Sequence, residues 1–107
     1  MQAGDNAVIG CRAQACGVGT NGAGIRVSGT TPNSSNLVTD NHLSGNWRNL
    51  DVLTDTNVIL RNVAAFEQGG GNFSMVAGNT IGPVVVAGQQ NLANVANANH
   101  PQVNIAY

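Results

Sequence analysis

Asp40, Asn41, His42 and Ser44 place a carboxylate, an imidazole and a hydroxyl within five residues of one another, the parts of an acyl-transfer relay. Neighbours along a strand point to opposite faces, however, and Asp, Asn and Ser gather in turns for conformational reasons alone. The stretch therefore reads as a polar turn, and no catalytic residue is assigned. No Gly-x-Ser-x-Gly elbow, His-Glu-x-x-His pair or phosphate-cradling loop occurs, and Gly69-Gly70-Gly71 lacks the strand-loop-helix setting of a dinucleotide site. His42 and His100 have no paired spacing, so neither a metal nor a cofactor is expected. Trp47, with Asn46 and Asn49 beside it, is the one candidate platform for a sugar ring; as one of four aromatics, with Phe66, Phe73 and Tyr107, it reads more economically as a core or interface residue.

Cys11 and Cys16 lie in Gly10-Cys11-Arg12-Ala13-Gln14-Ala15-Cys16-Gly17. A local turn would bring their Cα atoms to the roughly 5.5 Å of a disulfide, and small domains outside cells are commonly stapled in this way. An intrachain bond is the first expectation, with bonds to other subunits and free thiols as the alternatives.

The chain of 107 residues is one domain's worth, taken here as 1–107, because a second unit would be too short to bury a core of its own. It is 42% hydrophobic but only 8% charged, against about 25% charged in an ordinary soluble domain. Four arginines, no lysine and a net charge of −1 exclude a sequence-independent nucleic-acid binder, which needs several cations per site, and a polybasic membrane-surface segment. No apolar stretch approaches the roughly 18 residues of a spanning helix, so no membrane insertion is expected. Met1-Gln2-Ala3-Gly4-Asp5 reads as an initiator set before a leader-stripped chain, which points to a secreted protein. The polarity resides in sixteen Asn, six Gln, seven Thr and five Ser beside fourteen Gly, neutral groups that hydrogen-bond without repelling one another.

Short runs of Val, Ile, Leu and Ala bounded by turn-formers predict a mainly β chain. The expected strands are Ala7 to Cys11, Gly24 to Ser28, Asn36 to Thr39, Trp47 to Leu53, Asn57 to Phe66, Phe73 to Ala77, Pro83 to Ala87 and Gln102 to Tyr107. Trp47 to Phe66, turning at Thr54-Asp55-Thr56-Asn57, is the best hairpin candidate. In the last strand, Val103, Ile105 and Tyr107 are expected on the buried face, and Val84-Val85-Val86 is expected to be covered from both sides. Gln68 to Asn72 reads as the most mobile stretch. Residues 89–97 fit either a strand or a short helix, since Leu92, Val95 and Ala96 have helical spacing while asparagine is a poor helix interior. Gly-Asn recurs at residues 45, 71 and 78, an irregular spacing that argues against a strict solenoid. A β-sandwich or a solenoid-like sheet with Gly/Asn-rich loops remains.

Self-association is what this composition favours. Uncharged strands extend a sheet without like-charge opposition, and stacked Asn and Gln side chains hydrogen-bond from copy to copy. Ordinary edge strands are guarded by lysine, proline or inward charge; this chain has no lysine and three prolines. The expected ladder formers are Asn72, Gln89, Gln90, Asn91 and Asn94, and the expected edge strand is Val103, Asn104, Ile105 and Tyr107. A terminal strand completing a neighbour's sheet is a second route to the same end.

Gln68-Gly69-Gly70-Gly71-Asn72-Phe73-Ser74 and Val84-Val85-Val86-Ala87-Gly88-Gln89-Gln90-Asn91 resemble the repeat units of bacterial extracellular fibre subunits of the curli and Fap type. The resemblance implies a β-structured fibre of the biofilm matrix with Gln and Asn ladders. The expectation is thus a secreted, non-enzymatic structural subunit whose partners are copies of itself, with a small extracellular carbohydrate-binding module as the alternative.

Overall fold

Asn36 and Asn41 stand five residues apart, as do Asn57 and Asn62, and each is followed at once by a three-residue strand. The residue before the asparagine has a left-handed backbone at Asp40 (φ 58°), Thr56 (φ 60°) and Arg61 (φ 53°). Such a residue turns the chain sharply, at about 1–2 kcal/mol for a side chain other than glycine. The repeated unit is therefore a corner, an asparagine and a short strand.

The computed structural model describes residues 6–15, 22–29, 35–86 and 101–106. Its strands are β1 (Ala7–Ile9), β2 (Arg12–Gln14), β3 (Ala23–Val27), β4 (Leu37–Thr39), β5 (His42–Ser44), β6 (Arg48–Val52), β7 (Val58–Leu60), β8 (Val63–Ala65), β9 (Phe73–Met75), β10 (Thr80–Ile81), β11 (Val84–Val86) and β12 (Asn104–Ala106). They form three sheets in the orders β1-β4-β7-β10, β2-β5-β8-β12-β11 and β3-β6-β9, and every pair is parallel. Successive strands visit the sheets in turn, so the chain winds as a three-sided parallel solenoid. The protein is mainly β, as its composition predicts.

Register stacks like on like. Val8, Val38, Ile59 and Ile81 share one column, while Val27, Val52 and Met75 share another. Val27, Val38, Leu43, Leu50, Val52 and Ile59 are fully buried and form the core inside the coils. The three-residue strands β4, β5, β7 and β8 each bury their central side chain, which is why the apolar triads of the sequence are so short.

Several expectations are corrected. Trp47 to Phe66 is not a hairpin: β6 and β7 belong to different sheets and pair with the coils before and after them. Asn57 to Phe66 is two strands, broken at the Arg61 corner. Of the two architectures expected, the solenoid-like sheet is the one present, and its repeat runs through single asparagines at 36, 57 and 79, spaced by 21 and 22 residues, and not through the Gly-Asn pairs whose spacing argues against a strict repeat. In β12 the buried residues are Asn104 and Ala106, with Ile105 only half-buried, the reverse of the expected alternation. Val84 is 44% exposed, so β11 is not covered on both faces. β2, β5 and β10 were not foreseen, being short and mostly polar or small. Residues 89–97 lie outside the described residues.

Asn62 binds both neighbouring coils: its Oδ1 accepts from the Asn41 backbone N–H and Nδ2, and its Nδ2 donates to the Val38 carbonyl and Asn104 Oδ1. Asn62→Ala leaves several of these buried groups without partners, each worth about 1–3 kcal/mol. Urea unfolding should show a loss of about 3 kcal/mol, against less than about 0.5 kcal/mol for Leu53→Ala at an exposed position.

Candidate functional site

A side-chain amide buried in a corner must find its partners in the protein, and here the next coil supplies them. In the first column the backbone N–H and Nδ2 of Asn6 donate to Asn36 Oδ1 at 3.1 and 3.2 Å. Asn36 donates in the same way to Asn57 Oδ1 at 3.1 and 3.0 Å, and Asn57 to Asn79 Oδ1 at 3.0 and 2.9 Å. The second column runs Cys11, Asn41, Asn62, Asn104. In the third, Asn46 Nδ2 donates to Asn49 Oδ1 at 2.8 Å and Asn49 Nδ2 to Asn72 Oδ1 at 2.6 Å. In the first two columns every amide-to-amide bond runs from a donor on the earlier coil to Oδ1 on the later one, while Nδ2 of Asn41, Asn62 and Asn104 also donates back to the Val8, Val38 and Ile59 carbonyls.

The ladders thus have a direction. A coil stacked beyond β10 would offer an Oδ1 to the backbone N–H of Asn79, and a coil stacked before β1 would offer donors. Among the described residues the outer strands are β1, β2 and β3 at one end and β10, β11 and β9 at the other. β1, β9, β10 and β11 contain no charged residue, and Ile9, Ile81 and Val84 are exposed upon them. Sheets usually guard their edges better.

Asn72, an expected ladder former, bonds Asn49 within the molecule, and Asn104, expected on an edge strand, bonds Asn62 within it. The other ladder residues were missed, although their five-residue spacing with an apolar residue two places on (Val38, Leu43, Ile59, Ala64) was the available signal. Gln89, Gln90, Asn91, Asn94 and Tyr107 lie outside the described residues. The edge expected at Val103, Asn104 and Ile105 is corrected: β12 is an inner strand, flanked by β8 and β11.

The sugar platform is also corrected. Asn46 and Asn49 are completely buried and spend their amides on Ala13, Ala65, Asn49 and Asn72. The Trp47 ring lies under the glycine run; an added Cβ would stand 2.9 Å from the ring at Gly69 and 2.7 Å at Gly70. The loop is closed by Glu67, whose Oε2 accepts from Gly69 and Gly71 N–H, and by Gly70 N–H donating to the Trp47 carbonyl at 2.9 Å. The glycines of 68–72, read as mobile, are required by this close approach.

Asp40 and His42 straddle a corner, as the polar-turn reading holds. The Asp40 carboxylate is engaged by Arg61 through Nε and Nη2, both at 2.9 Å, while His42 is exposed on the outer face of its sheet. There it borders a shallow apolar hollow of about 330 Å³ with Val63, Ala65 and Phe66. Asp51, buried beneath Arg26 at 2.9 Å and Arg48 at 3.7 Å, ties two coils together. No group of three His, Cys, Asp or Glu that would hold a metal occurs among the described residues. No family model, curated protein or solved structure matches the chain.

Cys11 occupies an asparagine position in the second column, where its backbone N–H donates to Asn41 Oδ1 at 2.9 Å. Its side chain is exposed, and β2 leads the chain away from it at about 3.3 Å per residue. Cys16 lies outside the described residues. Alkylation without reductant should label Cys11 fully, as mass measurement will show; protection until reduction would mean that β2 gives way to a closed loop.

Hydrogen bonding from Arg61 holds the Asp40 carboxyl below its ordinary value of 3.8. A carboxyl depressed by folding contributes stability above its unfolded value, and that contribution is lost as pH falls through the folded one. Thermal midpoints of the parent protein should therefore fall more steeply below about pH 4 than those of Asp40→Asn.

Proposed function

We propose that this chain is a structural subunit whose coils stack end to end on those of further copies to build a fibre or coat. The observation that carries the reading is the single direction of the amide-to-amide bonds in the first two asparagine columns. One end of the solenoid is matched in chemistry to the other and not to itself, and such a head-to-tail contact generates open filaments where a self-complementary one would close as a dimer. The uncharged outer strands β1, β9, β10 and β11 and the absence of lysine support it. So does the similarity between these stacked amides and those of in-register fibres, in which each side chain bonds its own copy above and below. An extracellular or cell-surface setting rests on the resemblance of residues 68–74 and 84–91 to curli- and Fap-type subunits. No catalytic step enters this reading, whose role is mechanical.

In β1, the Asn6 carbonyl and the Gly10 N–H bond to β4. Alternate residues of a parallel strand bond to opposite sides, so the N–H of Ile9 faces the open side. Ile9→Pro removes that donor without touching the bonds to β4. The purified protein should form fibres under negative stain and sediment as large particles, and Ile9→Pro should slow their growth about tenfold, the equivalent of one hydrogen bond of about 1.4 kcal/mol. A parent protein that stays monomeric at every concentration would overturn the reading.

A further inference from the structure

The fourth coil is assembled from two separate pieces of chain. Thr80 pairs with Val58 and Ile81 with Ile59, an offset of 22 residues that, continued, sets Val84 beside Asn62 and Val85 beside Val63. β11 keeps that register but stands one strand further out, because β12 occupies the intervening place: Ile105 pairs with Val63, and Val85 pairs with Ile105.

The slot is shaped for its occupant. Val84 has no amide with which to extend the second ladder, and Asn104 supplies one. Its Oδ1 accepts from Asn62 at 3.0 and 3.1 Å, and its Nδ2 donates to the Ile59 and Gly82 carbonyls, each at 3.1 Å. Gly82 makes room: a Cβ there would stand 1.9 Å from the Gln102 carbonyl oxygen. β11 ends at Val86 and β12 begins at Asn104, and Gln102, just before β12, is already anchored, its carbonyl accepting from the Arg61 N–H at 3.4 Å and its Oε1 from Arg61 Nη1 at 3.0 Å.

We propose that the slot between β8 and β11 accepts β12 from a second copy of this chain, so that subunits are joined by exchanged strands. The inference rests on the assembly reading and names the segment that links one copy to the next. Exchange reproduces every contact of the slot and alters only the connection between β11 and β12, which is why swapping is a low-cost route between copies. The chain's own β12 is covalently joined to its slot and a neighbour's is not, so exchange belongs to crowded subunits and the unexchanged form to dilute ones.

Val63 and Ile105 are neighbours in register, at the roughly 4.8 Å spacing of adjacent strands, within reach of a disulfide. The test is the full chain carrying Val63→Cys and Ile105→Cys with Cys11→Ser and Cys16→Ser, oxidised and then run in denaturant without reductant. A dilute sample should give a crosslinked monomer, which verifies the slot. Assembled material should give a ladder of covalently joined chains, enriched at least about tenfold over the dilute sample. Intrachain bonds alone in assembled material would overturn strand exchange and leave end-to-end stacking intact; absence of assembled material would overturn both. Should the cysteine variant fail to fold, fibres of unaltered sequence grown from a mixture of ¹⁵N- and ¹³C-labelled chains decide the matter. Solid-state NMR should then show contacts between residues 63–65 of one copy and 104–106 of another, and their absence overturns the exchange.

Discussion

Buried asparagine is the constraint on which the structure depends. Asn36, Asn41, Asn46, Asn49, Asn57, Asn62 and Asn104 are all but inaccessible to water, and a buried amide without partners costs more than a buried methyl of the same size stabilises. The partners of the first two columns are the backbone and side chain of the adjoining coil. A coil is therefore satisfied only between two others, and stability accumulates along the axis as nearest-neighbour contributions, in the manner of repeat proteins. The apolar core cooperates with this, since the same register that aligns the amides stacks Val38 on Ile59 and Val52 on Met75.

The corners show how far this constraint reaches. Ala15, Asp40, Thr56, Arg61 and Phe66 all hold left-handed backbones, which a β-branched or bulky residue resists in isolation. Stacking over-determines them. Phe66, 77% exposed, and Arg61 are placed outside the coil by that geometry, and Arg61 uses the position to reach Asp40 of the preceding coil.

Strand content was legible from the sequence because the apolar triads, such as Leu37-Val38-Thr39 and Val58-Ile59-Leu60, are bounded by turn residues. The winding was not. The column positions contain Cys11 in the first coil and Val84 in the fourth; the first two coils are offset by 30 residues where later ones are offset by 21 and 22; and the offset of the third coil on the second rises from 21 at β8 to 23 at β9. Each departure hides the period from a search for fixed repeats. The exchange of places between β11 and β12 was hidden more deeply, for nothing local to Val103 or Ile105 reveals that Asn104 completes a ladder begun at Cys11. Composition did announce the amides, and of the expected ladder formers Asn72 is one that bonds another amide, its partner Asn49 lying within the molecule.

The interleaving of β12 also bears on biosynthesis. A ribosome delivers the chain in order, and the edge of β8 is complete once Ala65 has emerged, yet its neighbour arrives only after some forty further residues, through Ala106. Until Asn104 has been made, the backbone N–H and Nδ2 of Asn62 lack the acceptor that completes the second column, so the fourth coil closes with the last strand synthesised.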